Sequence, residues 1–243
     1  MEFRILPAGD SAWLIELPER IDAEVNERAI QIARTIENLA GLRPPASNLQ
    51  PPTSDLPVRD VVVGYRSVMV FFDPLDRRAS GIERRLQELA ESPSEKGVVA
   101  GSFVEVPVCY GGVYGPDLGE VAAFARSTTD EVIAMHLERE YRVFVVGFVP
   151  GFAYMANVDP RIAAPRRSSP RLKVPAGSVA VAAGQTGVYP EETPGGWSLI
   201  GRCPVRPYDS DRAEPFLFRP GDRVRFRRIT EDEYRATSHW GDV

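Results

Sequence analysis

The sequence predicts an α+β N-terminal region followed by a mainly-β region that closes into a barrel. Three observations predict it. The 243 residues include 22 prolines and 20 glycines, roughly one residue in six against a usual share nearer one in eight. Both residues break helix interiors, which argues against an all-helical bundle and for short strands and turns. A long stripe of helical periodicity, Ile21 to Leu39, lies in the first 92 residues. Beyond residue 149, no stretch up to about 215 is free of Pro or Gly for long enough to form a sizeable helix.

Residues 3–6 and 12–17 are apolar β-like runs around the turn residues Ala8-Gly9-Asp10. Apolar side chains then recur at Ile21, Val25, Ala29, Ile32, Ile36 and Leu39. Those steps of three and four put one stripe on a helix, and Gly41 ends it in the left-handed position open to glycine. Residues 42–57 hold Pro44, Pro45, Pro51, Pro52 and Pro57 without periodicity and read as an exposed, extended insert. Residues 61–63 and 68–72 form a strand pair around Gly64-Tyr65-Arg66-Ser67. Ser80-x-x-Glu83 has capping-box spacing for a second helix, with Ile82, Leu86 and Leu89 inward. Two helices on such a sheet give an α+β domain over residues 1–92, ferredoxin-like in plan.

A polar stretch over 92–97 reads as a linker to a second domain, residues 98–230. It opens with a strand over 102–110. Asp117-x-x-Glu120 and Thr128-x-x-Glu131 each place a side-chain acceptor over the free N–H groups of a short helix. Further strands are expected at 141–149, 179–182, 198–203 and 215–218. Arg219-Pro220-Gly221-Asp222 is a type II turn pattern. After it, Arg223, Arg225 and Arg227 alternate with Val224 and Phe226, a strand with one wet face. The whole reads as a closed β-barrel with two small helices, followed by a tail over 231–243.

Composition excludes several function classes. A net charge of −5, from 29 basic and 34 acidic side chains, leaves no electrostatic footprint for nucleic acid or an anionic membrane. Among the basic residues only Lys96 and Lys173 are lysine, so the cations are almost all planar guanidinium forks suited to carboxylate or phosphate. Cys109 and Cys203 lie far apart and form neither a disulfide framework nor a C-x-x-C site. Both are expected as small buried residues. His136 and His239 are the only histidines, which argues against a multi-His metal site. His136 is expected at a helix surface or boundary, and His239 in an inert tail. The longest apolar stretch, 143–155, is broken by Gly147, Pro150 and Gly151 and falls short of the roughly 18 residues of a membrane span. The N-terminus lacks a basic-then-apolar signal pattern, so a soluble cytoplasmic protein is expected.

The stretch densest in candidate chemistry runs from Pro150 to Arg202. Arg161, Arg166, Arg167, Arg171 and Lys173 place five cations within 13 residues. On a loop rich in proline they suit an anionic ligand or an acidic partner. Gln185-Thr186-Gly187 offers an amide and a hydroxyl beside glycines that let a ligand approach the backbone. Trp197 follows Pro194-Gly195-Gly196, and Tyr154 and Tyr189 supply phenols. Gly111-Gly112-x-x-Gly115-Pro116-Asp117, ahead of a helix, can serve as a turn and cap or as an anion site.

Five ordered motifs then carry a family resemblance. They are Tyr110-Gly111-Gly112-x-x-Gly115-Pro116-Asp117-Leu118, Val146-Gly147-Phe148-x-Pro150-Gly151-Phe152, Val174-Pro175-Ala176-Gly177-Ser178-Val179, Gly184-Gln185-Thr186-Gly187-x-Tyr189-Pro190 and Pro194-Gly195-Gly196-Trp197-x-Leu199-Ile200-Gly201-Arg202. With Gly9-Asp10-Ser11-Ala12 and Tyr65-Arg66-Ser67, they make nearly the whole chain resemble the KipI/PxpB family, also called allophanate hydrolase subunit 1 or the carboxyltransferase subdomain of that name. After Phe152 the chain reads Ala153-Tyr154-Met155-Ala156-Asn157 where that family carries a Pro-Tyr-Leu-Gly-Gly-like run.

The resemblance implies a ferredoxin-like domain followed by a cyclophilin-like barrel. It also implies a subunit of an ATP-dependent lactam hydrolase of the 5-oxoprolinase type, with ATP, and Mg accompanying it, as cofactors and PxpC-like and PxpA-like partners. An allophanate hydrolase-like enzyme and a KipI-like inhibitor of a sensor histidine kinase are the alternatives. Under the enzyme reading the site is a cleft at the barrel mouth. Its catalytic residues are Arg171, Gln185, Thr186 and Arg202, and its substrate-binding residues are Tyr154, Arg166, Ser178, Tyr189 and Trp197. No metal ligands are expected.

Overall fold

A computed structural model describes residues 1–20, 22–42, 56–92 and 101–237. The expected linker over 92–97 and His239 therefore fall almost wholly or wholly outside the described residues, as does most of the 42–57 insert. The chain divides into two compact units, Met1–Val99 and Ala100–Val243.

The first unit contains β1 (Arg4–Pro7), β2 (Ala12–Glu16), α1 (Ala23–Leu39), β3 (Val58–Val63), β4 (Ser67–Phe72) and α2 (Ile82–Glu91). The strands form one antiparallel sheet in the order β1-β2-β4-β3. Val68, Val70 and Phe72 alternate inward on β4 and meet Val25, Ala29, Ile32 and Ile36 of α1 and Leu86 of α2 in one core. Asp22 caps α1 by accepting a bond from Val25 N at 2.8 Å, and Gly41 ends it at φ 66°. Leu56 and Pro57, read as part of the insert, are buried.

Two expectations change here. Ser80 does not cap α2; its hydroxyl donates to Arg77 O, and the helix grows from a 3-10 turn, Arg77–Gly81, capped by Asp76. The chain also runs strand-strand-helix-strand-strand-helix, where a ferredoxin-like domain runs strand-helix-strand-strand-helix-strand. The strand beside β2 comes from the N-terminus instead of following α2.

The second unit contains β5 (Phe103–Tyr110), α3 (Leu118–Ala125), α4 (Thr129–Leu137), β6 (Tyr141–Val146), β7 (Ala153–Ala156), β8 (Arg171–Val174), β9 (Ser178–Ala182), β10 (Gln185–Val188), β11 (Thr193–Gly195), β12 (Ser198–Arg202), β13 (Arg223–Arg228) and α5 (Glu231–Thr237). Seven strands close a barrel in the order β10-β7-β6-β13-β5-β12-β9, and β8 and β11 form a separate ribbon. All barrel pairs are antiparallel except β13 with β5. Thr128 and Glu131 form the expected capping box on α4.

Alternation divides the barrel residues between two cores. Val179 and Val181 on β9, Met155 on β7 and Ile200 on β12 point inward, onto Val106, Tyr141 and Phe226 and onto Leu118 and Val132 of the two helices. Ala180, Ala182, Tyr154 and Leu199 have the opposite parity. They pack outside the barrel with Phe152, Val174, Tyr189 and Trp197.

Several element bounds differ from expectation. The strand from Tyr141 stops at Val146, because Phe148 turns to φ 74°. Gln185–Val188, where no strand is expected, form β10. Residues 215–218 form only an isolated bridge, Tyr208 to Phe216. Residues 231–237, expected as tail, form α5 because Thr230 and Glu233 build a capping box and Tyr234 buries against Tyr114. The turn at Arg219–Asp222 appears as expected, with Asp222 N donating to Arg219 O at 3.0 Å and Gly221 at φ 94°.

Candidate functional site

The outer core opens to solvent as a cavity of about 310 Å³. Phe152 is its floor. Its ring meets Tyr154, Tyr189, Trp197 and Phe148 edge-on at centroid distances of 4.7, 5.1, 5.5 and 5.7 Å. Edge-to-face contacts of this kind contribute about 0.5–1.5 kcal/mol each beyond area burial. Such crowding requires glycine nearby. A Cβ on Gly187 would lie 2.8 Å from Ala153 O and 3.2 Å from the Phe152 ring, and one on Gly195 would lie 2.5 Å from Tyr189 Oη.

Charge enters through one loop. Arg166 holds its guanidinium 5.9 Å from the centre of the Trp197 ring, a cation–π contact. Arg167 lines the same cavity. Its N–H donates to Gly196 O at 2.8 Å, and its Nη1 donates to Glu120 at 2.8 Å and to Asp117 at 3.2 Å. Arg171 Nη2 donates to the same Asp117 oxygen at 2.6 Å, while Leu199 N donates to the other at 2.7 Å. Asp117 is 2% exposed. Its spacing predicts a cap on α3, yet its carboxylate makes no capping bond. Instead it ties the arginine loop, the β8 ribbon and strand β12 together beside the cavity.

Burial pushes the Tyr189 phenol up to about 12, with Tyr154 acting in the same sense and the Arg166 cation opposing both. Burial also raises the Tyr154 phenol, again against Arg166. Both are therefore neutral hydroxyls at neutral pH, able to donate and to accept.

Of the nine residues expected in the site, Tyr154, Arg166, Tyr189 and Trp197 come together at this cavity. They lie on the outer face of the barrel, not at its mouth, because Tyr154 on β7, and Ala180, Ala182 and Leu199 in the same cluster, have strand parity opposite to that of the interior. The other five do not line it. Arg171 stands behind it on Asp117. Gln185 is half-buried on β10, opposite Ala156 and Ala182. Ser178 is buried on β9, and its cross-strand partner Arg202 donates Nε to Ala176 O at 2.7 Å. Thr186 is fully buried, its hydroxyl committed inside the barrel.

That hydroxyl belongs to a polar chain built on His136. Thr186 Oγ1 donates its single proton to Ala180 O at 3.0 Å, so it accepts from His136 Nε2, also at 3.0 Å. Nδ1 is then the bare nitrogen and accepts from Tyr110 Oη at 2.8 Å. His136 is thus not a surface or boundary residue. It is fully buried against Phe226 and Tyr141, and burial lowers it to about 3, so the ring stays neutral. The Gly111 loop is a turn: Gly111 N donates to Ile200 O, and Gly111 O accepts from Tyr114 N and Gly115 N. Cys109 and Cys203 are both buried free thiols, each raised by burial. Among the described residues no three His, Cys, Asp or Glu side chains gather as a metal cage. No described helix is long and apolar enough to cross a membrane.

Residues 3–218 match the family described as "Carboxyltransferase domain, subdomain C and D". The chain belongs to this family. It is 39% identical over 250 aligned positions to the B-type subunit of 5-oxoprolinase from Bacillus subtilis, spanning 97% of both. It is 43% identical to the B-type subunit of 5-oxoprolinase from Escherichia coli O157:H7, over 71% of this chain and 79% of that one. Among solved structures, TTHA0988 superposes with a TM-score of 0.75 at 38% identity over 90% of this chain, which spans 40% of that longer protein.

Proposed function

We propose that this chain is a subunit of an ATP-dependent lactam hydrolase of the 5-oxoprolinase type, converting 5-oxo-L-proline, ATP and water to glutamate, ADP and phosphate. The observation that carries the reading is the alignment with a 5-oxoprolinase component over 97% of both chains. The outer-face cavity supports it, since aromatic walls, two neutral phenols and a guanidinium suit a small cyclic amide bearing an anion. On this reading the first unit is a permuted ferredoxin-like layer and the barrel is cyclophilin-like. The protein works in the cytoplasm with PxpC-like and PxpA-like subunits, which carry or share the ATP site.

Opening an unactivated lactam is slow because the amide nitrogen is a poor leaving group. Transfer of the γ-phosphoryl group to the lactam oxygen makes C5 electrophilic. Water then adds at C5, and the C–N bond breaks with proton transfer to nitrogen to leave a γ-glutamyl phosphate, which a second water hydrolyses to glutamate and phosphate. This chain's contribution is to bind and orient the lactam. Tyr154 and Tyr189 hold its amide edge, Trp197 walls the ring, and Arg166 faces its charge.

The test is reconstitution with the two partner subunits. ATP hydrolysis should rise on addition of 5-oxo-L-proline, with one glutamate formed per ADP and no turnover when this chain is left out. Turnover of ATP that is indifferent to 5-oxo-L-proline would sink the reading.

A further inference from the structure

The charge around the cavity is nearly balanced, and the imbalance is informative. Arg167 and Arg171 are both held by acids, Asp117 and Glu120. Lys173 pairs with Glu192 at 2.9 Å. Arg166 is different. Among the described residues no carboxylate pairs with it, and its contact is the Trp197 face. The cavity wall thus presents one uncompensated cation. Its volume of about 310 Å³ lies at the bottom of the range of about 300–1,000 Å³ usual for small-molecule sites.

We infer that this cavity selects a small monoanion: it takes the lactam by its one carboxylate, on Arg166, and it excludes the nucleotide. This rests on the 5-oxoprolinase reading above and deepens it. A single carboxylate matches a single free guanidinium, whereas a triphosphate brings several charges to a wall whose other cations are already neutralised. A five-membered lactam fits between Trp197 and the phenols. Asp117 and Glu120 then act as selectors, because by holding Arg167 they keep the cavity from becoming a phosphate cradle.

Trp197 reports on occupancy directly. In a Trp13→Phe/Trp240→Phe background it is the remaining tryptophan of three. Its emission should change saturably with 5-oxo-L-proline, and hardly at all with inorganic phosphate, ADP or ATP. Arg166→Gln should weaken 5-oxo-L-proline by about tenfold or more. It should leave binding of 2-pyrrolidinone, the same lactam without its carboxylate, unchanged; a merely damaged pocket would weaken both. Glu120→Gln, on an exposed side chain, should raise phosphate affinity about two- to fivefold.

The same variants are then assayed in the reconstituted enzyme. If the complex turns over 5-oxo-L-proline but Arg166→Gln leaves its KM unchanged, the inference falls and the functional reading stands. Displacement of 5-oxo-L-proline from the Trp197 pocket by ATP overturns it as well. If the complex never turns over 5-oxo-L-proline, the functional reading falls, and the 5-oxo-L-proline and 2-pyrrolidinone titrations decide the pocket on their own.

Discussion

Asp117 shows how much one side chain can organise. Its two oxygens serve two guanidiniums and the backbone of β12. Removing it as Asp117→Ala strips the acceptor from Leu199 N and leaves two arginines short of a partner. The expected cost is about 3 kcal/mol or more, read by urea unfolding. Asp117→Asn should cost less, because an amide oxygen still accepts from Leu199 N. His136 gives a pH signature. Its folded-state pKa, about 3, lies below the ordinary value of 6.5, so the unfolded chain binds a proton that the folded one refuses. Stability from this source is complete above pH 6.5 and is lost as pH falls, by up to about 1.4 kcal/mol per unit. Asp76 and Asp159, both held low by arginines, add to the loss only near and below pH 4. His136→Gln should therefore flatten the stability curve between pH 4.5 and 6.5 and leave the lower arm intact. An unchanged slope in that window would refute the buried neutral ring. Neither residue's role is legible in the sequence. The spacing Asp117-x-x-Glu120 is what a cap would show, and the partners of His136 lie 26 and 50 positions away.

At the scale of elements, legibility follows burial pattern. Helix α1 is readable because one face meets the sheet, so its apolar steps of three and four survive in the sequence. The capping box of α4 is readable because its two partners are three residues apart. Strands β7, β8, β10 and β11 have three or four residues each, and β10 and β11 contain glycine or proline. That is too short for alternation to speak, so the ribbon and the outer face it covers stay hidden in the sequence. The aromatic and arginine positions of the cavity can be picked out from their loops, but their place on the barrel cannot. Gly187 on β10 is a test of that crowded outer layer. Gly187→Ala pushes a methyl onto Ala153 O and the Phe152 ring and should cost about 1–3 kcal/mol, with a shift in Trp197 emission. In the first unit, Leu86→Ala removes a fully buried anchor of α2 and should cost about 2–5 kcal/mol in thermal unfolding.

At the scale of the molecule, each unit owns a core: Ile15, Val68 and Leu86 in one, Val106, Met155 and Phe226 in the other. A fragment covering 100–243 should therefore fold alone, with a cooperative melt and native near-ultraviolet dichroism. The parallel pairing of β13 with β5 joins residues 120 positions apart, Arg223 beside Phe103. This has a consequence during synthesis. Until Arg228 has been made, β5 and β6 each lack a neighbour, and the nascent sheet stands open along two bare edges. The last stave to leave the ribosome seals the cask, so this half of the protein stays unsealed through most of its own synthesis.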